Sequence, residues 1–308
     1  MGMRSRCCVI GGLGFIGRYA SRCLADCGRD VIAIGRRPEH HVEMLNGVRY
    51  VSVDYNDRVP LRRLLSGVNE VVDLAYATAP QTSFADPIFD VVSNLPASVG
   101  LFQEAVHAGV EKIVIVSTGG AVYGVADRLP ITEDHPTRPI SPYGITKLAV
   151  ENYAWMFHKL LELPVIVLRP SNAYGVGPRR FSGQGFISTA IRCIKAGRPV
   201  EVYGAGGVIR DYIHARDIAS AVVAALDHGS FGIPYNVGTG VGRTHLDVLQ
   251  QLRSHASKAN LEVRIGFLAP RKFDVPANYL DSTRLSSVSG WRPTVDFELG
   301  VAELWNAI

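Results

Sequence analysis

Residues 7–17, CCVIGGLGFIG, decide the fold of this chain. A short apolar run leads into Gly11, Gly14 and Gly17, which have the spacing GxxGxxG, and a helical pattern follows at once. Glycines at this spacing permit a tight turn and a close approach of the backbone, so a pyrophosphate can lie against the free N–H groups at the start of the helix. The stretch therefore predicts a strand–turn–helix unit that binds a dinucleotide.

The same alternation of strand and helix continues through the first half of the chain. Short apolar runs read CCVIG, VIAIG, VRYVSV, EVVDLA, KIVIVS and PVIVLR, and helical patterns lie between them at about 14–27, 57–66, 84–109 and 142–162. Strands that are apolar on both faces and separated by helices indicate a parallel sheet covered on two sides. We predict an α/β fold with a doubly wound parallel sheet of the Rossmann type.

The pattern changes after about residue 170. Glycines and prolines punctuate longer loops, and shorter helices are predicted at 185–196, 215–227 and 244–257. We expect a dinucleotide-binding domain over residues 1–170 and a smaller C-terminal α/β substrate domain over residues 171–308. Some strands and helices of the second stretch are expected to return to the first domain.

Composition excludes several classes of protein. A hydrophobic share of 47% and a charged share of 19% are those of an ordinary globular protein. The net charge of +4 comes without a basic run, which argues against nucleic acid as a partner. No apolar stretch reaches the roughly 20 residues that span a bilayer, so we expect no membrane segment and a cytosolic location. The five cysteines form no CxxC pair, and no metal site is predicted.

The end of the second strand bears on which cofactor is bound. In residues 31–40, VIAIGRRPEH, Gly35 stands where an NAD site has an acidic residue for the adenosine ribose, and Arg36 and Arg37 follow. Guanidinium groups suit a phosphate, so the sequence favours NADP over NAD. The alternative is that both arginines face solvent and backbone alone holds the ribose. Asp54, after the third strand, is a candidate acceptor for the adenine amino group, with a turn or capping role as its alternative.

A helix that begins near residue 141 carries candidate catalytic groups. In SPYGITK, residues 141–147, Ser141 is a good N-cap and Pro142 a good first residue, so Tyr143 and Lys147 lie four apart on one face. The lysine and the helix dipole both favour the phenolate, which predicts a lowered tyrosine pKa. Such a tyrosine can take a proton from an alcohol while hydride leaves the same carbon.

Ordered motifs along nearly the whole chain carry a family resemblance. They read GGLGFIG, STGGAVYG, SPYGITK, LRPSNAYG, VIRDYIHARDIA, YNVGTG and GWRPT. With these motifs the chain resembles the extended short-chain dehydrogenase/reductase superfamily, and within it the nucleotide-sugar epimerase/dehydratase branch typified by UDP-glucose 4-epimerase. The resemblance implies NAD or NADP as cofactor, a nucleotide-diphosphate sugar as substrate, and a homodimer formed through the helices at 84–109 and 142–162.

The resemblance also implies roles for individual residues. Tyr143 would be the base and Lys147 would orient the nicotinamide ribose. The remaining cofactor contacts implied are Gly11, Gly14, Phe15, Ile16, Gly17, Ala75, Asn94, Ser117 and Pro170. The substrate contacts implied are Gly119, Gly120, Asn172 at the diphosphate or sugar, Tyr203 stacked on the nucleobase, Arg210 and Arg271 at the diphosphate, and Asp274 at the ribose. The structural alternatives are surface ion pairs for the arginines, core packing for Tyr203 and a turn for Asp274.

Three features depart from the family pattern, and the missing acid at Gly35 is one of them. Gly119 stands where the catalytic Ser or Thr normally lies, and the nearest hydroxyl is that of Thr118, one residue upstream. Either Thr118 or a water replaces the missing group, or Tyr143 works alone with a weaker proton path. Asn278 stands where some epimerases carry a bulky Tyr, and this smaller residue is expected to leave room for a 2-acetamido group.

Three functions from these observations stay open. The first is a C4 epimerase that acts on a UDP-hexose or UDP-N-acetylhexosamine through a transient 4-keto sugar. The second is an NADPH-dependent reductase of a nucleotide-4-keto-sugar, which Arg36 and Arg37 favour. The third is a non-catalytic dinucleotide-binding sensor, which Gly119 favours and the Tyr143–Lys147 pair opposes. A dehydratase is disfavoured because Gly120 and Ala121 replace the acidic pair of that activity.

Overall fold

The computed structural model describes residues 5–178, 185–204, 206–271 and 274–308. In chain order its strands are β1 (Arg6–Ile10), β2 (Asp30–Gly35), β3 (Val48–Ser52), β4 (Glu70–Asp73), β5 (Lys112–Val116), β6 (Val165–Pro170), β7 (Asn172–Tyr174), β8 (Val200–Tyr203), β9 (Ile209–His214), β10 (Pro234–Val237), β11 (Gly242–Arg243), β12 (Ile265–Leu268) and β13 (Ala277–Asn278). Its helices are α1 (Phe15–Asp26), α2 (Arg58–Leu65), α3 (Pro80–Ala85), α4 (Pro87–Ala108), α5 (Pro142–Leu161), α6 (Phe186–Lys195), α7 (Ala215–His228), α8 (His245–Lys258), α9 (Thr283–Ser289) and α10 (Phe297–Ala307). A single 3₁₀ turn spans Glu39–His41.

Within the described residues, seven strands form one parallel sheet in the order β10-β6-β5-β4-β1-β2-β3. The chain runs outward from β1 to β3 and then crosses back to β4 on the other side of β1. In such a sheet the crevice at the carboxyl ends of β1 and β4 is where ligands bind. The predicted doubly wound parallel sheet is confirmed.

Alternate residues of the strands feed two apolar cores. Cys7 and Val9 of β1 face the layer that contains α1 and α7, whereas Cys8 and Ile10 face the layer that contains α2, α4 and α5. All four side chains are buried. This two-sided burial is why the strands read as continuous apolar runs rather than as an alternating pattern.

The helix predicted at 84–109 is two helices, which corrects the sequence interpretation. α3 ends at Ala85 and α4 begins at Pro87. Pro87 disfavours helical backbone at the residue before it, and Asp86 instead caps α4 by accepting a hydrogen bond from the N–H of Phe89 at 2.9 Å. The loop and short helix that follow β4 consequently lie against α5 beside the site described below.

The second half of the chain contributes to two layers. Strand β10 pairs with β6 at the edge of the seven-stranded sheet, and α7 packs against α1. The remaining strands pair among themselves, β7, β11 and β13 around β9, and β12 with β8. They share a third apolar core with α6, α8 and α10. The domain boundary between residues 170 and 171 stays a prediction.

None of the helices in the described part of the chain combines the length and the apolar character needed to cross a bilayer.

Candidate active site

The glycine-rich turn leaves the start of α1 open to an anion. Gly14 is the N-cap of α1, and no side chain caps the helix there. The Gly14 N–H donates to the carbonyl of Gly11 at 2.8 Å, which closes the turn. A Cβ added to Gly17 would lie 2.1 Å from the same carbonyl oxygen, so only glycine permits this packing. The first N–H groups of the helix, at residues 15–17, are therefore available to a pyrophosphate.

The end of β2 is shaped by a tyrosine of β3. A Cβ added to Gly35 would lie 3.1 Å from the hydroxyl oxygen of Tyr50, and that hydroxyl donates to the carbonyl of Arg37 at 2.9 Å. Tyr50 thus occupies space that an acidic side chain would need. Arg36 and Arg37 are exposed, and neither forms an ion pair within the described residues.

Asp54 has the turn role that the sequence left as an alternative. One carboxylate oxygen accepts hydrogen bonds from the backbone N–H of Asn56 at 3.1 Å and from its side-chain amide at 2.7 Å. The carboxylate is exposed beside the end of β3. Its contact with an adenine amino group stays a prediction.

Asn94 forms hydrogen bonds with the loop after β4. Its carbonyl oxygen accepts from the N–H of Ala77 at 2.7 Å, and its amide donates to the carbonyl of Asp90 at 2.7 Å and to the hydroxyl of Thr78 at 3.2 Å. The buried amide is therefore engaged by protein groups. It fixes the loop that contains Ala75 rather than presenting free polar atoms to a cofactor.

The Tyr143–Lys147 pair lies at the start of α5, as the sequence predicts. The Ser141 hydroxyl accepts from the N–H of Gly144 at 3.1 Å and caps the helix. The Lys147 Nζ donates to the carbonyl of Val116, at the end of β5, at 2.8 Å. It lies 6.0 Å from the centroid of the Tyr143 ring. Helix α5 and the end of β5 are thus joined at Lys147.

The charge state of this pair differs from the sequence expectation. Burial raises the pKa of Tyr143, and the Asp90 carboxylate raises it further, so the prediction of a lowered pKa is wrong for the protein chain by itself. Burial also lowers the pKa of Lys147 to about 8, against the opposing effect of nearby carboxylates. The sequence placed a cation beside the tyrosine but could not show how completely the fold would desolvate both groups.

Sequence reasoning missed the aromatic neighbour of this pair. The Tyr76 ring lies edge-on to the Tyr143 ring with centroids 5.1 Å apart, and the Lys147 Nζ lies 4.0 Å above the Tyr76 ring. The buried Asp90 carboxylate accepts from the Thr78 hydroxyl, and its other oxygen has no partner among the described residues. The available signal was the position of DLAYAT directly after a strand, at the edge of the sheet where ligands bind.

Residues 118 and 119 differ in how deeply they are buried. Gly119 is buried, and a Cβ added to it would lie 2.4 Å from a Leu280 methyl carbon and 2.9 Å from the carbonyl oxygen of Arg169. Thr118 is partly exposed, and its Oγ1 lies 3.7 Å from the Cβ position of Gly120. Position 119 therefore faces the protein interior, whereas Thr118 is partly exposed at the carboxyl end of β5.

Asn278 lies behind this loop, which corrects its interpretation as a residue beside the sugar. It is 1% exposed, and its amide donates to the carbonyl of Gly119 at 3.0 Å. The Gly119 N–H in turn donates to the carbonyl of Pro170 at 2.8 Å. Asn172 is partly exposed and approaches the other side of the loop, since its Oδ1 lies 3.4 Å from the Cβ position of Gly120. Asn278 thus supports the loop, and Asn172 borders it.

Ser117 belongs to a buried polar network. Its hydroxyl donates to Glu151, which forms a close ion pair with Arg169 at 2.6 Å. Arg169 also donates to the hydroxyl of Tyr123 at 3.0 Å. The network links α5 to the ends of β5 and β6 and holds the loop that carries Thr118.

The groups predicted to bind a nucleotide diphosphate gather around β9 and β13. Arg210 donates to the carbonyl of Val275 at 2.7 Å, and burial lowers its pKa against the attraction of the Asp274 carboxylate. The Arg271 guanidinium lies 3.5 Å from the centroid of the Tyr203 ring. Arg271 therefore covers one face of Tyr203, and stacking of a nucleobase on that ring stays a prediction for the opposite face.

A histidine and a phenylalanine near these arginines were not found from the sequence. The rings of Phe186 and His245 stack with centroids 3.8 Å apart and planes at 10°. Burial, together with the charges of Arg210 and Arg271, lowers the pKa of His245 to about 4, so the imidazole is neutral near pH 7. The two residues lie 59 positions apart at the starts of α6 and α8, and no local pattern connects them.

The model of the NAD dependent epimerase/dehydratase family matches residues 7–238. The chain belongs to this family. A relative from Mycolicibacterium smegmatis named UDP-glucose 4-epimerase is 34% identical over 97% of this chain and 96% of its own length. An Escherichia coli relative named dTDP-4-dehydro-6-deoxyglucose reductase is 29% identical with the same coverage. The protein is therefore an enzyme of this epimerase/dehydratase family.

A solved structure of the family extends the comparison to three dimensions. The Thermus thermophilus UDP-glucose 4-epimerase in complex with NAD superposes with a TM-score of 0.86 at 31% identity, and the match covers 98% of each chain. The two chains therefore share one fold from end to end. Within the described residues of the present member, no group of His, Cys, Asp or Glu could hold a metal ion.

The residues of this family member fit a dinucleotide. The open N-terminus of α1 offers N–H groups to a pyrophosphate, and the Gly11–Gly17 contact leaves no room for a side chain in the turn. A Cβ added to Gly11 would also approach the backbone of Ala75 at 3.2 Å, so the turn and the loop after β4 form one close-packed edge. The catalytic pair lies at the same edge of the sheet, at the carboxyl ends of β4 and β5.

Proposed function

We propose that this enzyme interconverts a nucleotide-diphosphate hexose and its C4 epimer through a transient 4-keto sugar, with a UDP-sugar as the substrate. The observation that carries the proposal is the pairing of Tyr143 and Lys147 on α5 with the partly exposed Thr118 at the end of β5, the strand to which Lys147 is bonded. The names of the relatives support the choice of an epimerase over the other activities of the family.

The chain supplies proton handling and positioning for this reaction. A bound nicotinamide cofactor supplies an acceptor and donor for hydride at C4. Tyr143 takes the proton of the C4 hydroxyl and returns it, and Thr118 offers a hydrogen bond that orients that hydroxyl. Lys147 keeps positive charge near the tyrosine and stabilises the phenolate form. Asn172, Arg210 and Arg271 hold the diphosphate, so that the sugar can turn between its two faces.

We further propose that the cofactor is NADP, because β2 ends at Gly35 rather than at an acidic residue and two exposed arginines follow it directly. Arg36 and Arg37 have no ion-pair partner within the described residues, and Tyr50 fills the space beside Gly35. A 2′-phosphate would give these guanidinium groups an anionic partner.

The same arginines favour a second candidate, an NADPH-dependent reductase of a nucleotide-4-keto-sugar. A reductase releases oxidised cofactor in each turnover, whereas an epimerase regenerates it within the site. The Escherichia coli relative bears a reductase name. The two functions use the same residues and differ in whether the cofactor leaves.

The decisive experiment identifies the bound dinucleotide and the need for added cofactor together. The protein is purified without cofactor and denatured, and any released dinucleotide is identified by mass. UDP-glucose and UDP-N-acetylglucosamine are then tested without added cofactor, and Tyr143→Phe serves as the inactive control. Conversion without added cofactor is the expected result. Turnover only with NADPH and a 4-keto sugar would establish the reductase instead.

Both sugars are tested in this assay because the size of Asn278 does not favour one of them over the other. Asn278 is buried, so its small size does not by itself make space beside the sugar C2. We retain UDP-glucose and UDP-N-acetylglucosamine as equal candidates.

A homodimer through α4 and α5 completes the proposal. Five large apolar side chains on these helices are more than half exposed, Ile88 at 75%, Leu160 at 73%, Val92 at 58%, Trp155 at 56% and Ile145 at 54%. Exposed apolar side chains on neighbouring helices suit association with a second copy. Light scattering is expected to give twice the chain mass, and Val92→Glu with Trp155→Glu is expected to give the monomer. A monomeric wild-type protein would contradict the dimer.

A further inference from the structure

Lys147 borders a small cavity at the carboxyl ends of β4 and β5. The cavity has a volume of about 10 Å³, which is room for roughly one water molecule. Its polar lining comes from Asp73 at the end of β4, Ser98 of α4, Ser117 after β5 and Lys147 of α5. A water in such a place has enough polar partners to be held firmly.

Asp73 is the carboxylate of this cavity. It is 6% exposed, and one oxygen accepts from the N–H of Ala75 at 3.1 Å. Among the described residues the structure records no direct ion pair within 4.0 Å between Asp73 and Lys147. The two groups nevertheless line the same cavity, so a single water can bridge them.

The two groups stabilise each other's charge in spite of burial. Burial raises the pKa of Asp73 to about 6, and the Lys147 charge opposes that rise. Burial lowers the pKa of Lys147 to about 8, and Asp73 is the strongest of the carboxylates that oppose this fall. Both groups therefore titrate near neutral pH, where a family reaction at a sugar hydroxyl takes place.

The other carboxylates near Asp73 and Lys147 bind other partners and have a smaller effect on the pKa of Lys147. Glu151 is held by Arg169 and Ser117, and Asp90 accepts from Thr78. The groups that face Lys147 are Asp73, Glu151, Asp90, Tyr76 and Tyr143. The groups that face Asp73 are Lys147, Cys8 and Tyr55.

We propose that Asp73 is the buried counter-ion of Lys147, acting through one water in this cavity, and that it sets the fraction of Lys147 that is charged during the reaction. Asp73 is thus a positioning residue, because its proposed effect on the reaction is exerted through Lys147. The effect on the pH range of turnover rests on the proposed function. The effect on the lysine itself does not.

The test measures the charge of Lys147 directly in the full chain. The protein contains six lysines, so ¹³C labelling at lysine Cε gives few NMR signals, and Lys147→Arg identifies the one to follow. In Asp73→Asn the titration midpoint of Lys147 is expected to fall by about one pH unit, the usual effect of losing a nearby opposite charge. Asp73→Glu keeps the carboxylate and is expected to restore most of the midpoint.

Asp26→Asn is the matched control, because it removes an exposed carboxylate whose partner is Arg22 on the same helix. It is expected to leave the lysine midpoint unchanged. An unchanged midpoint in Asp73→Asn would overturn the proposal. If Asp73→Asn does not fold, the test compares the titration midpoint of Lys147 in Asp73→Glu and in the wild-type protein over a range of salt concentrations. A Lys147 midpoint outside the range that a nearby carboxylate produces would overturn the proposal.

Turnover separates this inference from the proposed function. With active enzyme, the alkaline limb of the pH profile for kcat is expected to move to lower pH in Asp73→Asn, together with the lysine midpoint. A shifted midpoint without any turnover of UDP-sugars would retain the counter-ion and refute the epimerase. If the pH profile of turnover did not move together with the Lys147 midpoint, the proposed effect of Asp73 on turnover would be refuted.

Discussion

The Nζ atom of Lys147 lies 4.0 Å from the centroid of the Tyr76 ring and 6.0 Å from that of Tyr143. Of these two rings, the one nearer to Lys147 belongs to Tyr76, which lies outside the SPYGITK motif. An ammonium group over an aromatic face gains roughly 0.5–2 kcal/mol, depending on how well it is desolvated. The loop after β4 thus helps to keep Lys147 charged in a buried place.

Replacing Tyr76 with leucine is expected to lower the pKa of Lys147. The π face is lost at similar side-chain size, so the shift should be about half a pH unit to one unit. Tyr76→Phe keeps the ring and should leave the lysine titration near that of the wild type. The ¹³C titration of Lys147 measures both variants, and equal shifts in both would show that the hydroxyl rather than the ring matters.

Thr118 is expected to be the hydroxyl that the reaction uses. Thr118→Val keeps the shape of the side chain and should lower kcat by about 10²-fold, because a positioned hydrogen-bonding group is lost. Thr118→Ser should retain most of the activity. Steady-state kinetics with UDP-glucose and with UDP-N-acetylglucosamine checks this, and a fully active Thr118→Val would show that the Thr118 hydroxyl is not needed.

Adding a serine at position 119 is expected to harm stability rather than restore a catalytic group. The new Cβ would meet a Leu280 methyl carbon at 2.4 Å, and overpacking of this kind costs about 1–3 kcal/mol. Gly120→Ser is the matched control, since its Cβ would have ordinary contacts of 3.4 Å and 3.7 Å. Denaturant unfolding compares the two, and equal stability would mean that Leu280 moves aside freely.

Removing the arginines after β2 is expected to weaken the binding of NADPH by roughly 10- to 100-fold, the effect of losing one or two hydrogen bonds to a charged group. Arg36→Ala with Arg37→Ala should leave the affinity for NADH almost unchanged. Arg63→Ala is the control, because this exposed arginine lies on α2. Calorimetric titration measures the affinities. Equal losses for NADPH and NADH would exclude recognition of the 2′-phosphate.

The ionisation of Asp73 is expected to reduce stability as the pH rises. The pKa of Asp73 is raised to about 6 in the folded chain, above the ordinary value near 4. The contribution of protonated Asp73 to the free energy of unfolding is present in full below pH 4 and is lost as the pH rises through 6. This loss amounts to about 3 kcal/mol at most. Asp73→Asn should remove this loss, so its free energy of unfolding relative to the wild type should rise between pH 4 and pH 7. A parallel pH dependence of both proteins would contradict the raised pKa.

The sequence by itself determined the fold class and the placement of Tyr143 and Lys147 on one helix. Continuous apolar strands dictate a sheet covered on both faces, and the glycine turn dictates where an anion can lie. Ser141 and Pro142 fix the start of α5, so the spacing between Tyr143 and Lys147 places both on one helical face. These features depend on local rules, and they can be read without knowing what packs nearby.

The tertiary structure alone decided the direction of side chains and the charge of buried groups. Gly119 faces Leu280, and Asn278 lies behind the loop, because strands distant in sequence converge there. The shifts in pKa at Asp73 and Lys147 come from desolvation and from charges on separate strands and helices. Such effects depend on distances of a few ångströms between residues far apart in the chain, and no local pattern encodes those distances.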